Sequence, residues 1–122
     1  MDVKPKIVVV DDVPTIGELL VRFLSKKNYE VSSFTNGKNA LEYLKQKQVD
    51  VVLTDMHMPE MNGLELIKGI KIIRQDLPII LMSSYVDQDI LDDLTAEGIC
   101  DYVKTPFDLT ALEQTIAKAI KK

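Results

Sequence analysis

The sequence predicts an α/β protein in which a five-stranded parallel sheet is covered by helices on both faces. Three observations predict it. Short apolar runs alternate with segments of helical periodicity along the whole chain. The strongest runs are apolar at consecutive positions rather than at every second one, which marks strands buried on both faces. Each strand is followed by a helix, so consecutive strands are joined by crossovers, and right-handed crossovers leave few topologies.

Each element has a local reason. Residues 6–10 (Lys6-Ile7-Val8-Val9-Val10) form the first strand. Residues 13–27 follow as a helix, with Ile16, Leu19, Leu20, Phe23 and Leu24 at helical spacing. Pro14 suits its first turn, and Asp12 is a candidate cap. Residues 29–34 read as a second strand, more polar than the first, as expected of a sheet edge. Asn36-Gly37 marks a turn, and Ala40, Leu41 and Leu44 mark a short helix. Residues 50–54 are the second fully apolar strand. The loop 55–62 ends at Asn62-Gly63, ahead of a third helix carrying Leu64, Leu66, Ile67, Ile70 and Ile73. Pro78 opens the strand Ile79-Ile80-Leu81-Met82, which ends in Ser83-Ser84. A fourth helix carries Ile90, Leu91 and Leu94 and stops near Gly98; residues 99–104 are the last strand. A fifth helix runs from about Asp108, with Leu109, Leu112, Ile116 and Ile120 on one face. The pattern is (βα)5. The doubly wound order 2-1-3-4-5, the flavodoxin-like arrangement, puts strands 1, 3 and 4 in the middle, and these are the three most apolar.

Composition bounds the function classes. The 122 residues suit one domain, residues 1–122, with a real core; 46% are hydrophobic and 28% charged, as in ordinary globular proteins. No apolar stretch approaches the roughly 18 residues of a membrane span, and the N-terminus has no apolar signal region, so no membrane role and a cytoplasmic location are expected. A net charge of −4 without a basic stripe argues against direct nucleic-acid binding. The single cysteine, Cys100, fits a reducing compartment and is expected to be a buried, inert thiol.

The chemistry gathers where apolar runs stop. Asp11 and Asp12 follow the first strand, and Asp55 follows Val51-Val52-Leu53-Thr54. Binding crevices of open parallel sheets lie outside the carboxyl ends of the strands. If these two strands are neighbours, three carboxylates share one pocket. At about 5 Å and an effective dielectric near 20, each pair costs roughly 3 kcal/mol. A hard cation such as Mg²⁺, which takes one or two carboxylates and keeps several waters, relieves that cost. Strands 4 and 5 add Ser83 and Lys104-Thr105-Pro106. Carboxylates, a hydroxyl and an ammonium suit phosphoryl transfer, and a carboxylate can itself be the acceptor. Asp11 and Asp12 are adjacent, as a shared metal site wants; Asp55, alone on the central strand, is the better nucleophile.

Asp11-Asp12, the stretch Asp55-Met56-His57-Met58-Pro59-Glu60-Met61-Asn62-Gly63, Pro78 before Ser83, and Tyr102 before Pro106-Phe107 resemble a response regulator receiver domain over essentially the whole chain. The resemblance implies a regulatory switch rather than an enzyme, and a chain that holds a receiver without an output domain. Asp55 would accept a phosphoryl group from a sensor histidine kinase or a histidine phosphotransfer protein. Asp12 would bind Mg²⁺ directly, Asp11 mainly through water, and His57 through its backbone carbonyl. Ser83 would move to the phosphoryl oxygen and Tyr102 would rotate inward. The surface of the fourth helix, fifth strand and fifth helix would read out the change to a downstream protein or missing output domain, and could pair two phosphorylated copies.

One position departs from the family pattern. The lysine usual before Pro-Phe is replaced by Thr105, and Lys104 stands one residue early. Strand alternation would point Lys104 away from the pocket; a bulge would restore it, and Lys104 is expected to reach the site. The alternative is a pseudo-receiver, an interaction module with impaired switching. Thr105-Pro106 is a candidate cis bond. Met56, Met58 and Met61 are expected to pack rather than bind metal. Asp87, Asp89, Asp92, Asp93 and Glu97 give the fourth helix an acidic face, for which solvation is the plain reading and a basic partner the sharper one. A flavin- or nucleotide-binding domain is disfavoured, because no G-x-x-x-x-G-K-[ST] or G-x-G-x-x-G occurs. An Asp-nucleophile phosphohydrolase would need a cap insertion for which the chain has no room.

Overall fold

A computed structural model describes residues 4–84, 88–106 and 108–120. Asp87 and Phe107, both named above, lie outside the described residues. Ten elements alternate: β1 (Lys6–Val10), α1 (Pro14–Lys26), β2 (Glu30–Phe34), α2 (Gly37–Gln46), β3 (Val51–Asp55), α3 (Gly63–Ile73), β4 (Ile79–Ser83), α4 (Gln88–Glu97), β5 (Asp101–Lys104) and α5 (Leu109–Ile120). All pairings are parallel, in the order β2-β1-β3-β4-β5. The expected order is therefore the observed one, with the polar β2 at an edge. Among the described residues, no helix is long and apolar enough to cross a membrane.

Alternation along the buried strands builds two cores. Val8, Val10, Val52, Ile79 and Leu81 face α2, α3 and α4, where Leu44, Leu66, Ile67, Ile70 and Leu94 meet them. Ile7, Val9, Val51, Leu53, Ile80 and Met82 face α1 and α5, against Leu20, Leu24, Leu112 and Ile116. Both faces of the three central strands are thus removed from water, which is why they read as unbroken apolar runs. Met58 is buried in the first core and Met56 and Met61 pack against it, so these three thioethers are packing groups.

Two local expectations change. The last strand begins at Asp101 rather than at residue 99. Cys100, expected buried, is exposed. It stands just before an edge strand, where its backbone N–H still bonds Ile79 O at 2.9 Å but no further strand lies beyond to cover its side chain. An apolar neighbourhood in sequence therefore does not bury a residue at a sheet margin.

Candidate functional site

Two neighbouring strands deliver the acids. Val10 of β1 pairs with Thr54 of β3, so the residues that follow them, Asp11 and Asp55, emerge side by side. Oxygens from the carboxylates of Asp11, Asp12 and Asp55 all lie within 4.8 Å of one another. Asp11 is buried, and Asp12 and Asp55 are partly so.

Backbone donors fix two of the three. The Val13 N–H donates to Asp11 Oδ1 at 2.9 Å, and the His57 N–H reaches Asp55 Oδ1 at 3.4 Å. Asp12 does not cap α1 as expected. The N-cap is Val13, without a side-chain bond, and Pro14 takes the first helical position. The reason is the available donor: a carboxylate bonds the N–H two residues on, which for Asp11 is Val13, whereas for Asp12 it is Pro14, which has no N–H.

Burial raises the carboxyl pKa of Asp11 and, independently, of Asp55. For Asp11, the Val13 N–H opposes the rise, while the charges of Asp55 and Asp12 add to it. For Asp55, the His57 N–H opposes it and Asp12 adds to it. The charge of His57 opposes the rise at Asp55 only weakly. The pocket is thus a set of hard oxygen donors whose charges repel and are little compensated by the described residues. That donor set fits Mg²⁺, since metal binding favours the deprotonated forms that burial penalises.

A pH dependence follows. Both carboxyls hold protons more tightly folded than unfolded. Their contribution to stability is therefore fullest below the unfolded pKa and declines as pH rises through the raised folded pKa. In chelator, the melting temperature of the native protein should fall relative to Asp55→Asn as pH rises from about 4 toward neutrality. Mg²⁺ should restore the native protein and have far less effect on the variant. A difference between the two proteins that stays flat with pH would contradict this account.

The remaining candidates surround the acids unevenly. Ser83 ends β4 and is buried at 3% exposure. The bulge that would restore Lys104 to the pocket side is not found: β4 and β5 pair one to one, with Ser83 opposite Lys104. A continuous ladder has no extra residue to turn the strand, so the alternation stands: Val103 is buried and Lys104 exposed. Among the described residues no ion pair joins Lys104 to the three aspartates. Thr105 is the more enclosed of the pair, and its N–H donates to Ser83 O at 2.8 Å. The Thr105–Pro106 bond is cis, as expected. Tyr102 is 38% exposed on β5 and His57 is exposed in the loop after β3.

Two residues have a supporting role that only the structure shows. Thr54 is fully buried, and its hydroxyl donates to Asp55 O at 3.0 Å. Gly63 opens α3 directly beneath the Asp55 peptide. A Cβ there would stand 2.6 Å from Asp55 O and 2.9 Å from Met56 Cα. The Gly63 N–H bonds Met56 O at 2.9 Å, and a capping box between Asn62 and Glu65 starts the helix at that point. In the sequence Gly63 marks the end of the Asp55–Gly63 stretch, but its close approach to the Asp55 peptide is not visible there.

Comparison with known proteins agrees with this geometry. Residues 7–117 match the model of the response regulator receiver domain. Sporulation initiation phosphotransferase F of Bacillus subtilis is 31% identical over 113 residues, covering 93% of this chain and 91% of that protein. The DNA-binding transcriptional regulator NtrC of Escherichia coli is 38% identical over 112 residues, covering 92% of this chain. The match spans only 24% of that regulator's length. Among solved structures, the response regulator TrrA of Thermotoga maritima, in complex with Mg(2+)-BeF, superposes with a TM-score of 0.84 at 33% identity, covering 94% of this chain and 98% of that one. A receiver domain protein from Clostridium thermocellum gives 0.90 at 28% identity, over 96% and 94%.

Proposed function

The chain belongs to the response regulator receiver domain family of two-component signalling, and from that premise we propose that it is a phosphorylation-dependent switch with Asp55 as phosphoacceptor. The observation that carries the reading is the meeting of Asp11, Asp12 and Asp55 within 4.8 Å at the carboxyl end of the sheet. A carboxylate oxygen of Asp55 attacks the phosphorus of a phosphohistidine on a sensor kinase or phosphotransfer protein. The new O–P bond forms as the N–P bond breaks, and the freed imidazole nitrogen takes up a proton. Mg²⁺, when bound, neutralises charge on the acids and the phosphoryl oxygens. Asp12 would hold it directly, Asp11 mainly through water, and Asp55 and the His57 carbonyl would complete the protein ligands. The Val13 N–H holds Asp11 in place for that task. Residues 1–122 act as a single receiver unit, regulatory rather than enzymatic in purpose. Its output goes to a downstream protein or an output domain, and pairing of phosphorylated copies through α4, β5 and α5 belongs to the same reading.

Ser83, buried at the end of the strand beside β3, would bind a phosphoryl oxygen, and Tyr102, exposed on β5, would turn inward. The experiment is intact-mass measurement after incubation with Mg²⁺ and acetyl phosphate. One added phosphoryl group is expected, and no adduct under conditions where Mg²⁺ demonstrably binds would overturn the proposal in favour of a pseudo-receiver.

The second reading has its own observation, the exposed Lys104. If Lys104 serves the phosphoryl group, Lys104→Ala should slow labelling about tenfold or more, the range of a lost charge-assisted contact. Thr105→Ala should then change it little. The reverse ranking would assign the contact to the threonine hydroxyl, and the comparison is read from the time course of mass gain.

A further inference from the structure

Away from the acidic pocket, α4 is held lightly: Leu94 is its one fully buried residue among those described. Ile90, Asp93, Leu94 and Glu97 fall at i, i+3, i+4 and i+7, so they share one face of the helix. That face and α3 enclose a groove of about 440 Å³. Met56, Leu64, Ile90 and Leu94 provide its apolar lining, and Asp93 and Glu97 its charged rim. Ile90 remains 38% exposed there. Asp93 makes no ion pair among the described residues, and the contact of Glu97 with Lys68 is long, at 4.0 Å between half-exposed groups. The negative rim is therefore close to uncompensated.

We propose that this groove between α3 and α4 docks an amphipathic helix of a partner protein, with one or two large apolar side chains in the groove and lysines or arginines over Asp93 and Glu97. The charge of the rim selects this occupant. An acidic rim repels nucleic-acid phosphates and anionic lipid headgroups, and a second copy of this chain, at net charge −4, would bring more acid to acid. A groove flanked by two helices with an apolar floor suits the helix-in-groove mode, in which apolar residues at i, i+3 and i+4 anchor. The surface lies on the α3 side of α4, away from β5 and α5. Met56 in its wall directly follows Asp55.

The test uses two synthetic helical peptides with the same leucine stripe, one with lysines and one with glutamates on the polar face. Binding is followed by amide chemical-shift mapping and by fluorescence anisotropy on the whole chain. The lysine peptide is expected to shift resonances of Leu64, Ile90, Asp93 and Leu94, and the glutamate peptide to bind much less. Ile90→Ser and Asp93→Lys should each weaken the lysine peptide by about fivefold or more. Asp76→Lys, the same charge change at an exposed site outside the groove, should weaken it by less than about twofold. Both groove positions are at the surface, so the variants are expected to fold, and their melting curves check it. Shifts confined to α1 or α5, equal binding of the two peptides, or equal weakening by Asp76→Lys and Asp93→Lys would overturn the proposal.

Discussion

Asp55→Asn should take up no phosphoryl group from acetyl phosphate in the presence of Mg²⁺, where the native chain gains one. The amide oxygen is a far weaker nucleophile than a carboxylate, and the variant loses the charge that drives attack on phosphorus. An effect of at least about 10³-fold is expected, as for the loss of a nucleophile from a phosphoryl-transfer centre. The variant should nonetheless fold well. It keeps the size of the side chain and relieves repulsion by Asp12 and Asp11, whose oxygens lie within 4.8 Å. Asp12→Asn is the instructive contrast, because it leaves the nucleophile in place but weakens the metal site, so raising Mg²⁺ should recover part of its labelling. Undiminished labelling of Asp55→Asn would move the acceptor to another residue and end the assignment. A loss of folding together with labelling would instead make Asp55 merely structural.

The second large effect is expected at Gly63. An added methyl would sit 2.6 Å from the carbonyl oxygen of Asp55 itself, and both near neighbours are backbone, which cannot rotate aside. Gly63→Ala must push the start of α3 away from β3 or tilt the Asp55 peptide. Overpacking of this kind costs roughly 1–3 kcal/mol, and here the displaced group carries the candidate phosphoacceptor. Both the melting temperature and the labelling rate should therefore drop, and Gly63→Val should be worse on each count. Gly69→Ala is the matched control on the same helix. Its new methyl would meet only the flexible side chain of Leu41, at 3.0 Å, and alanine is the better helix former by about 1 kcal/mol. Equal behaviour of the two alanine variants, by thermal melt and by mass labelling, would show that the close approach at Gly63 has no consequence.

These two residues show how the chain divides between what is readable and what is not. Asp55 is legible because a carboxylate directly after Val51-Val52-Leu53-Thr54 has no packing explanation. Gly63 is legible only as the end of the Asp55–Gly63 stretch; its requirement is a distance to a backbone oxygen eight residues earlier, and only the folded loop creates that distance. The acidic rim of α4 lies between the cases: the charges are visible in the sequence, but the groove beside them needs α3 in place.

The sequence by itself determined the alternation of strands and helices, the strand order and the convergence of Asp11, Asp12 and Asp55. These rest on periodicity and on the fixed handedness of crossovers, which are local or nearly so. Tertiary structure alone decided that Asp11 rather than Asp12 holds the turn ahead of α1, that Cys100 is exposed, and that Lys104 is exposed on a strand paired one to one. Each of those depends on which neighbour covers a side chain or accepts a backbone bond. Such partners are set by residues distant in sequence, and a one-residue change of register or edge reverses the outcome.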